Sequence, residues 1–240
     1  MIRYADAIFA PIDHDLELER IAGGNETEVY RTDDRRRHVV KLKSAMGGTR
    51  AQALADAQAM RAAAEEYAAR LGPRHTIPSY YVLARASDGQ VRPLVLQPYL
   101  HDGLALYNLD YHTLSEGERA EIAAELREII RRSLSFYWRT GSMPDLYGRA
   151  SGSATERAHQ KTLARLPQRL WSFVVQRNLL RSHNLMRTIT PNPQVLLVDY
   201  DFMRRSRLYR LVYYSVRWML FWRDHLLIML MRRRGFVPRR

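Results

Sequence analysis

The apolar residues of this chain change their spacing several times, and each change predicts a different element. Over residues 16–43 they alternate with polar ones, the period of half-buried strands, with turn residues at Gly23-Gly24-Asn25 and at Asp33-Asp34. Residues 49–71 are rich in Ala, Gln and Glu and hold no Pro or Gly, which predicts a helix ending at Gly72-Pro73. Two further strands are expected over 79–84 and 91–96, around a turn at Ser87-Asp88-Gly89. Gln97-Pro98-Tyr99-Leu100 reads as a connector leaving this sheet. From Leu114 the period becomes helical. Ser115 and Glu118 make a capping-box pair, and Ile122, Leu126, Ile129 or Ile130, Leu134 and Tyr137 recur at helix spacing until Gly141 stops the run.

Beyond Gly141 the signals shorten. Met143-Pro144-Asp145-Leu146 follows the helix directly, residues 149–157 are small and polar and read as a loop, and 156–178 reads as helical with a break at Pro167. Asn184-Leu185-Met186 and Val195-Leu196-Leu197-Val198 predict two short strands around Thr190-Pro191-Asn192-Pro193, with Asp199-Tyr200-Asp201 capping the second. The fold class expected is α+β and bilobal. A five-stranded antiparallel sheet with one helix would occupy residues 1–100. A mainly helical lobe would occupy 101–240, with an insert at 149–178 and basic aromatic helices over 204–240.

Composition narrows the chemistry. The 240 residues hold no cysteine, which excludes a disulfide framework, a thiolate nucleophile and a thiolate metal site. The histidines are scattered, with no pair at helical spacing and no His-Glu-x-x-His, so a zinc site lacks support. His183, beside Asn184, is the one histidine near the chemistry considered below, as a phosphate contact or a structural hydrogen bond. The first ten residues are too short and too interrupted by charge for a signal peptide, so a cytoplasmic protein is the reading.

Charge is unevenly placed. Of the net +13, a surplus of ten lies between Met203 and Arg240, where eleven arginines accompany one acid, Asp224. Such asymmetry points to an acidic partner or to a solvated end. The longest uncharged apolar runs of this tail are six residues, too short to span a bilayer. Two readings of the tail stay open: core helices of the helical lobe, or a helix lying on an anionic membrane surface, which would place the protein at the inner face of the membrane. Nucleic acid is disfavoured as a partner, because the aromatics sit within apolar runs and are not interleaved with basic residues as stacking platforms are.

Lysine is scarce here, with three lysines against thirty-five arginines, and Lys41 closes the apolar strand Val39-Val40-Lys41. A lysine kept there suits a role for a compact ammonium, such as pairing with phosphates.

Taken in order, these segments resemble the protein-kinase-like fold, including its aminoglycoside-phosphotransferase branch, from about Leu18 to about Met203. Gly23-Gly24-Asn25-Glu26-Thr27-Glu28-Val29-Tyr30 resembles a divergent Gly-rich loop over the nucleotide, with Val29 packing on the base. Lys41 takes the place of the phosphate-pairing lysine, and Glu65 or Glu66 that of its carboxylate partner. Gln97 and Tyr99 lie in the segment resembling the hinge. Asn184 and Asp199, flanking a hairpin, resemble the metal-ligand pair, with Asp201 as the alternative to Asp199. The resemblance implies ATP and Mg2+ as cofactors and phosphoryl transfer to a hydroxyl acceptor, a reaction that relies on positioning and charge neutralisation.

This sequence also departs from the family pattern. The loop lacks its later glycine, and Glu26 and Glu28 bring acids to where phosphates would lie. No acid stands shortly before Asn184, and Leu179 occupies that position. Asp145, directly after the long helix, is the remaining candidate for the base, at the cost of a long insertion before Asn184. Three functional readings follow: an ATP- and Mg2+-dependent phosphotransferase using Asp145 and Asn184; a nucleotide-binding or empty pseudokinase in which Asp145 is a loop acid and the Arg-rich tail is the interface; and a peripheral membrane protein whose kinase-like part is only a scaffold.

Overall fold

A computed structural model describes residues 18–23, 27–32, 38–43, 46–85, 89–141, 143–148, 177–189, 192–199 and 207–236. Among these, the protein is α+β, with eight strands in two antiparallel sheets and three α-helices. Contacts divide the chain into two units. The first comprises the residues up to Glu66 and Ile77–His101. The second holds Tyr67–Thr76, 102–148 and the described residues from 177 onward.

The first unit is built on the strands β1 (Leu18–Gly23), β2 (Thr27–Thr32), β3 (His38–Lys43), β4 (Tyr80–Arg85) and β5 (Val91–Pro98), in the spatial order β1-β2-β3-β5-β4. All neighbours are antiparallel, so the alternating pattern of the sequence appears as a meander with β5 between β3 and β4. Directly paired residues share a face. Val40, Val82, Ala84, Leu94 and Leu96 thus gather as a buried cluster on one side. The helix α1 (Arg50–Leu71) covers the other, where Ala53 and Ala57 pack against Leu83 of β4 and Val91 of β5.

A glycine pair fixes where that helix begins. Gly48 exchanges two backbone hydrogen bonds with Val91, of 2.9 and 3.0 Å. Gly47 has φ 101°, and a Cβ there would overlap the Val91 carbonyl oxygen, so no side chain fits. The Gly47 N–H then meets Asp56 Oδ2 at 3.3 Å. The start of α1 is thereby tied to the edge of β5.

In the second unit α2 (Glu116–Thr140) starts and stops where its end signals stand. Ser115 Oγ accepts the Glu118 N–H at 3.2 Å, Glu118 Oε2 accepts the Ser115 N–H at 2.9 Å, and Gly141 closes the helix at φ 67°. Its buried stripe, including Ile122, Leu126, Ile129, Ile130 and Phe136, faces the core of this unit. A small sheet of β6 (Leu104–Ala105), β7 (Leu185–Thr188) and β8 (Gln194–Leu197) supplies another wall, with the centre of β8 wholly buried. The sequence pattern did not predict β6, which is two residues long.

One buried carboxylate joins three segments. Glu125 of α2 takes Arg74 Nε at 2.9 Å and Nη2 at 2.5 Å, and accepts the backbone N–H of Val195 in β8. The His75 ring nitrogen meets the Val195 carbonyl at 3.1 Å. The end of α1 belongs to this unit through the Tyr67–Phe136 edge contact at 4.8 Å and the Arg132 Nη1 bond to the Leu71 carbonyl at 2.8 Å.

The basic aromatic tail forms one continuous helix, α3 (Arg207–Arg234), in place of the several expected. Gly235, at φ 63°, ends it by donating to the Met231 carbonyl at 2.8 Å. Among the described residues no helix is long and apolar enough to cross a membrane. The expectations for 149–176, for the turn at 190–191, and for Gly24, Glu26 and Asp201 lie outside the described residues. Arg177 and Asn178, expected at the end of a helix, are not helical; Asn178 is extended and leads into a short 3-10 turn at Leu179–Arg181.

Candidate functional site

The sequence-derived residues fall into two groups, one in each unit. In the first, Lys41 is 7 % exposed on β3, paired with Val29 on β2 and with Val95 on β5. Register places it on the face of the sheet that α1 covers, together with Leu83 and Val91. Gly23 ends β1 opposite Glu28, so the two close the β1–β2 pairing. Gln97 is buried near the end of β5, opposite Val39, and donates to Ser79 Oγ at 2.8 Å. Tyr99, half-buried just past β5, meets the His101 ring edge-on at 4.8 Å.

The carboxylate expected beside Lys41 is not supplied by Glu65 or Glu66. Both are exposed, and Glu65 accepts Arg61 Nε at 2.8 Å one helical turn away. The cause is helical phase. Ala53, Ala57, Met60, Ala64, Tyr67 and Leu71 form the buried stripe of α1, and positions 65 and 66 project away from it.

The second group is brought together across a long stretch of sequence. Asn184 Nδ2 donates to the backbone carbonyl of Asp145 at 2.7 Å, although the two lie 39 residues apart. A carbonyl can only accept, so this bond fixes the amide orientation and directs Oδ1 toward Gly148. Gly148, at φ 45°, is needed there: a Cβ would overlap Asn184 Oδ1. The Asn184 carbonyl accepts the Val198 N–H at 2.9 Å, which sets the half-buried Asp199 in the residue following a direct backbone contact of Asn184.

Ser182 holds this arrangement. Its buried Oγ donates to the Leu146 carbonyl at 2.5 Å and accepts the N–H groups of Asn184 and Leu185 at 3.0 and 3.1 Å. The His183 N–H donates to the Tyr147 carbonyl at 3.3 Å, while its ring stacks on Tyr107 at 4.1 Å. The segment 143–148, expected to follow the helix as a turn, is thus tied to the residues preceding β7. Asp145 itself is half-buried. Its Oδ1 accepts the Tyr147 N–H at 3.1 Å, as short acidic side chains do in turns, and the Tyr213 hydroxyl stands 3.5 Å away, a long contact.

Behind these residues α3 contributes buried charge. Arg217, 1 % exposed, lies over the Tyr147 ring at 3.8 Å and donates to the Tyr213 hydroxyl at 3.1 Å. Burial works against its charge, but Tyr213, Asp145 and Tyr147 outweigh that and raise its pKa. Asp224, also 1 % exposed, accepts the Tyr147 hydroxyl at 2.6 Å and Arg223 Nη2 at 2.8 Å. Burial pushes the Asp224 carboxyl up despite these partners, and pushes the Tyr147 hydroxyl well up, reinforced by the Asp224 charge.

Sequence reasoning missed Gly148, Ser182, Tyr147, Arg217 and Asp224. Gly148 carried a usable signal, a glycine three residues after the candidate acid. The others are joined by contacts spanning 36 residues for Ser182 and 77 for Tyr147 and Asp224, and no local pattern announces such pairings.

The donor chemistry suits a hard cation. The Asn184 amide oxygen, packed against Gly148, and the half-buried Asp199 carboxylate are oxygen ligands of the kind Mg2+ prefers. Among the described residues no three His, Asp or Glu side chains gather at a metal-sized site. The chain matches no protein-family model, and no curated protein is significantly similar to it.

Proposed function

We propose that the chain is an ATP- and Mg2+-dependent phosphotransferase with a divergent, bilobal kinase-like architecture, acting on a hydroxyl acceptor. The observation that carries this reading is the bond from the Asn184 side chain to the Asp145 backbone at 2.7 Å. It brings the displaced candidate base to the candidate metal ligand, two residues whose separation in sequence is the largest departure from the family pattern. The buried Lys41, on the helix-covered face of β3, supports a role in neutralising phosphates. Bound Mg2+ would neutralise charge on the phosphates, with Asn184 and Asp199 as its protein ligands.

The residues of the chain would then divide the work. Asp145 would accept the proton of the acceptor hydroxyl, positioned by the Tyr147 N–H and by the bond from Asn184. Arg217, stacked on Tyr147 and charged throughout, would stabilise negative charge around Asp145 from behind. Lys41 would act without a carboxylate from Glu65 or Glu66.

One observation favours the second reading, a nucleotide-binding module without turnover. Asp145 Oδ1 is held by a turn N–H, as in an ordinary loop acid. Phosphate release from MgATP by the wild type and by Asp145→Asn, with nucleotide binding measured in parallel, separates the two. Release that Asp145→Asn abolishes while binding persists supports the phosphotransferase. Binding without release in either form supports the module, and neither binding nor release removes both.

A further inference from the structure

Helix α3 buries two of its charges, Arg217 and Asp224, and leaves a stripe of large apolar side chains exposed. Arg217, Leu220, Phe221, Asp224, Ile228 and Met231 fall in one sector of the helix and are all buried. The opposite sector carries Leu208, Leu211, Val212, Met219, Trp222 and Leu226, between 53 and 73 % exposed. The outer face of a helix on a soluble surface ordinarily carries polar and charged residues instead. On α2, Trp138 is 70 % exposed and meets Trp218 edge-on at 6.2 Å, widening the stripe. The helix of 28 residues is about 42 Å long, and the exposed residues follow one side of it for about five turns.

The charge at its margins is of one sign. Arg207 is exposed near one end, and Arg232, Arg233 and Arg234 are exposed at the other. The single acid of this helix, Asp224, is buried against Tyr147 and Arg223 and offers no negative charge to a partner.

We propose that this face docks on an anionic lipid bilayer, with α3 lying in the headgroup plane, its leucines and Trp222 inserted and its arginines on lipid phosphates. Such a helix combines a continuous apolar face with cationic ends. A second copy of the chain fits poorly, because parallel or antiparallel pairing would set arginine ends against arginine ends. Nucleic acid fits poorly as well, since the centre of the face is aliphatic and its cations are peripheral. The inference does not depend on the phosphotransferase reading.

Co-sedimentation of the full chain with vesicles tests it. One set is pure phosphatidylcholine and the other contains about a third phosphatidylglycerol. The wild type should pellet with the anionic set only, and less as salt rises. Met219→Asp with Trp222→Asp should weaken binding roughly tenfold or more, since two large inserting side chains are lost, with the thermal melt unchanged. Leu211→Ser with Leu226→Ser probes the same face should the first pair disturb the melt. Replacing Arg232, Arg233 and Arg234 by Glu should also abolish pelleting. The proposal is overturned if the wild type stays in the supernatant, or if both apolar variants pellet like the wild type. A wild-type dimer in sedimentation velocity that the apolar variants abolish would overturn it too, by assigning the face to a second copy.

Discussion

Replacing Ser182 by Ala removes one oxygen that serves three buried backbone groups. Its Oγ donates to the Leu146 carbonyl at 2.5 Å and accepts the N–H groups of Asn184 at 3.0 Å and Leu185 at 3.1 Å, in a side chain with no exposure. The volume lost is small, so the cavity contribution is minor and the effect lies in the groups left bare. A buried backbone group without a partner costs about 1–3 kcal/mol, and local relaxation recovers part of three such losses. A net destabilisation of about 2–4 kcal/mol follows, which for a chain of this size corresponds to a fall in melting temperature of roughly 5–15 °C. Urea denaturation followed by circular dichroism measures it, with the slope compared to confirm that the unfolded state is unchanged. The same variant should weaken any MgATP-induced stabilisation, because Ser182 fixes both Leu146, next to Asp145, and Asn184. A loss below about 0.5 kcal/mol, the size of an ordinary surface change, would refute the reasoning that this hydroxyl holds the site together.

Gly148→Ala should destabilise by about 1–3 kcal/mol, from its positive φ and the overlap with Asn184 Oδ1, while Gly89→Ala, which meets nothing within 4 Å, should cost only the φ strain. Hydrogen bonds from Ser115 and then Arg187 hold the Glu118 carboxyl down at about 2. A depressed folded-state pKa gives stability that is present above the unfolded value near 4.5 and is lost as pH falls toward 2, so thermal melts should weaken through that window and Glu118→Gln should flatten the slope. Glu65→Ala and Glu66→Ala should leave nucleotide binding intact and shift stability by less than about 0.5 kcal/mol, whereas Lys41→Met should abolish binding.

The elements that the sequence revealed are those whose causes are local. Alternation gave the strands of the first sheet, and the pair Ser115 and Glu118 with Gly141 marked both ends of α2. The phase of α1 was hidden because alanine lies on both its sides: Ala53, Ala57 and Ala64 are buried, while Ala51, Ala55 and Ala62 are exposed. Without that phase the exposed Glu65 and Glu66 could not be told from inward-facing acids. The tail concealed its faces for a related reason. Apolar residues surround α3, and its two deeply buried charges, Arg217 and Asp224, lie in the same sector as Leu220, Phe221, Ile228 and Met231, so hydrophobicity does not separate its two faces. Asp145 and Asn184 were each visible as candidates. Their meeting depends on the Ser182 and Gly148 contacts, which no neighbouring residues foretell.

The proposed phosphotransferase requires Asn184 and Asp199 to hold a metal–nucleotide group. A thermal shift of the full chain with ATP, in the presence and absence of Mg2+, tests it, comparing the wild type with Asn184→Ala combined with Asp199→Ala. At ATP about a hundred times its dissociation constant the wild type should gain about 2.7 kcal/mol only when Mg2+ is present, and the double variant should gain nothing. No shift at millimolar ATP, or an equal shift in the double variant, would contradict the account.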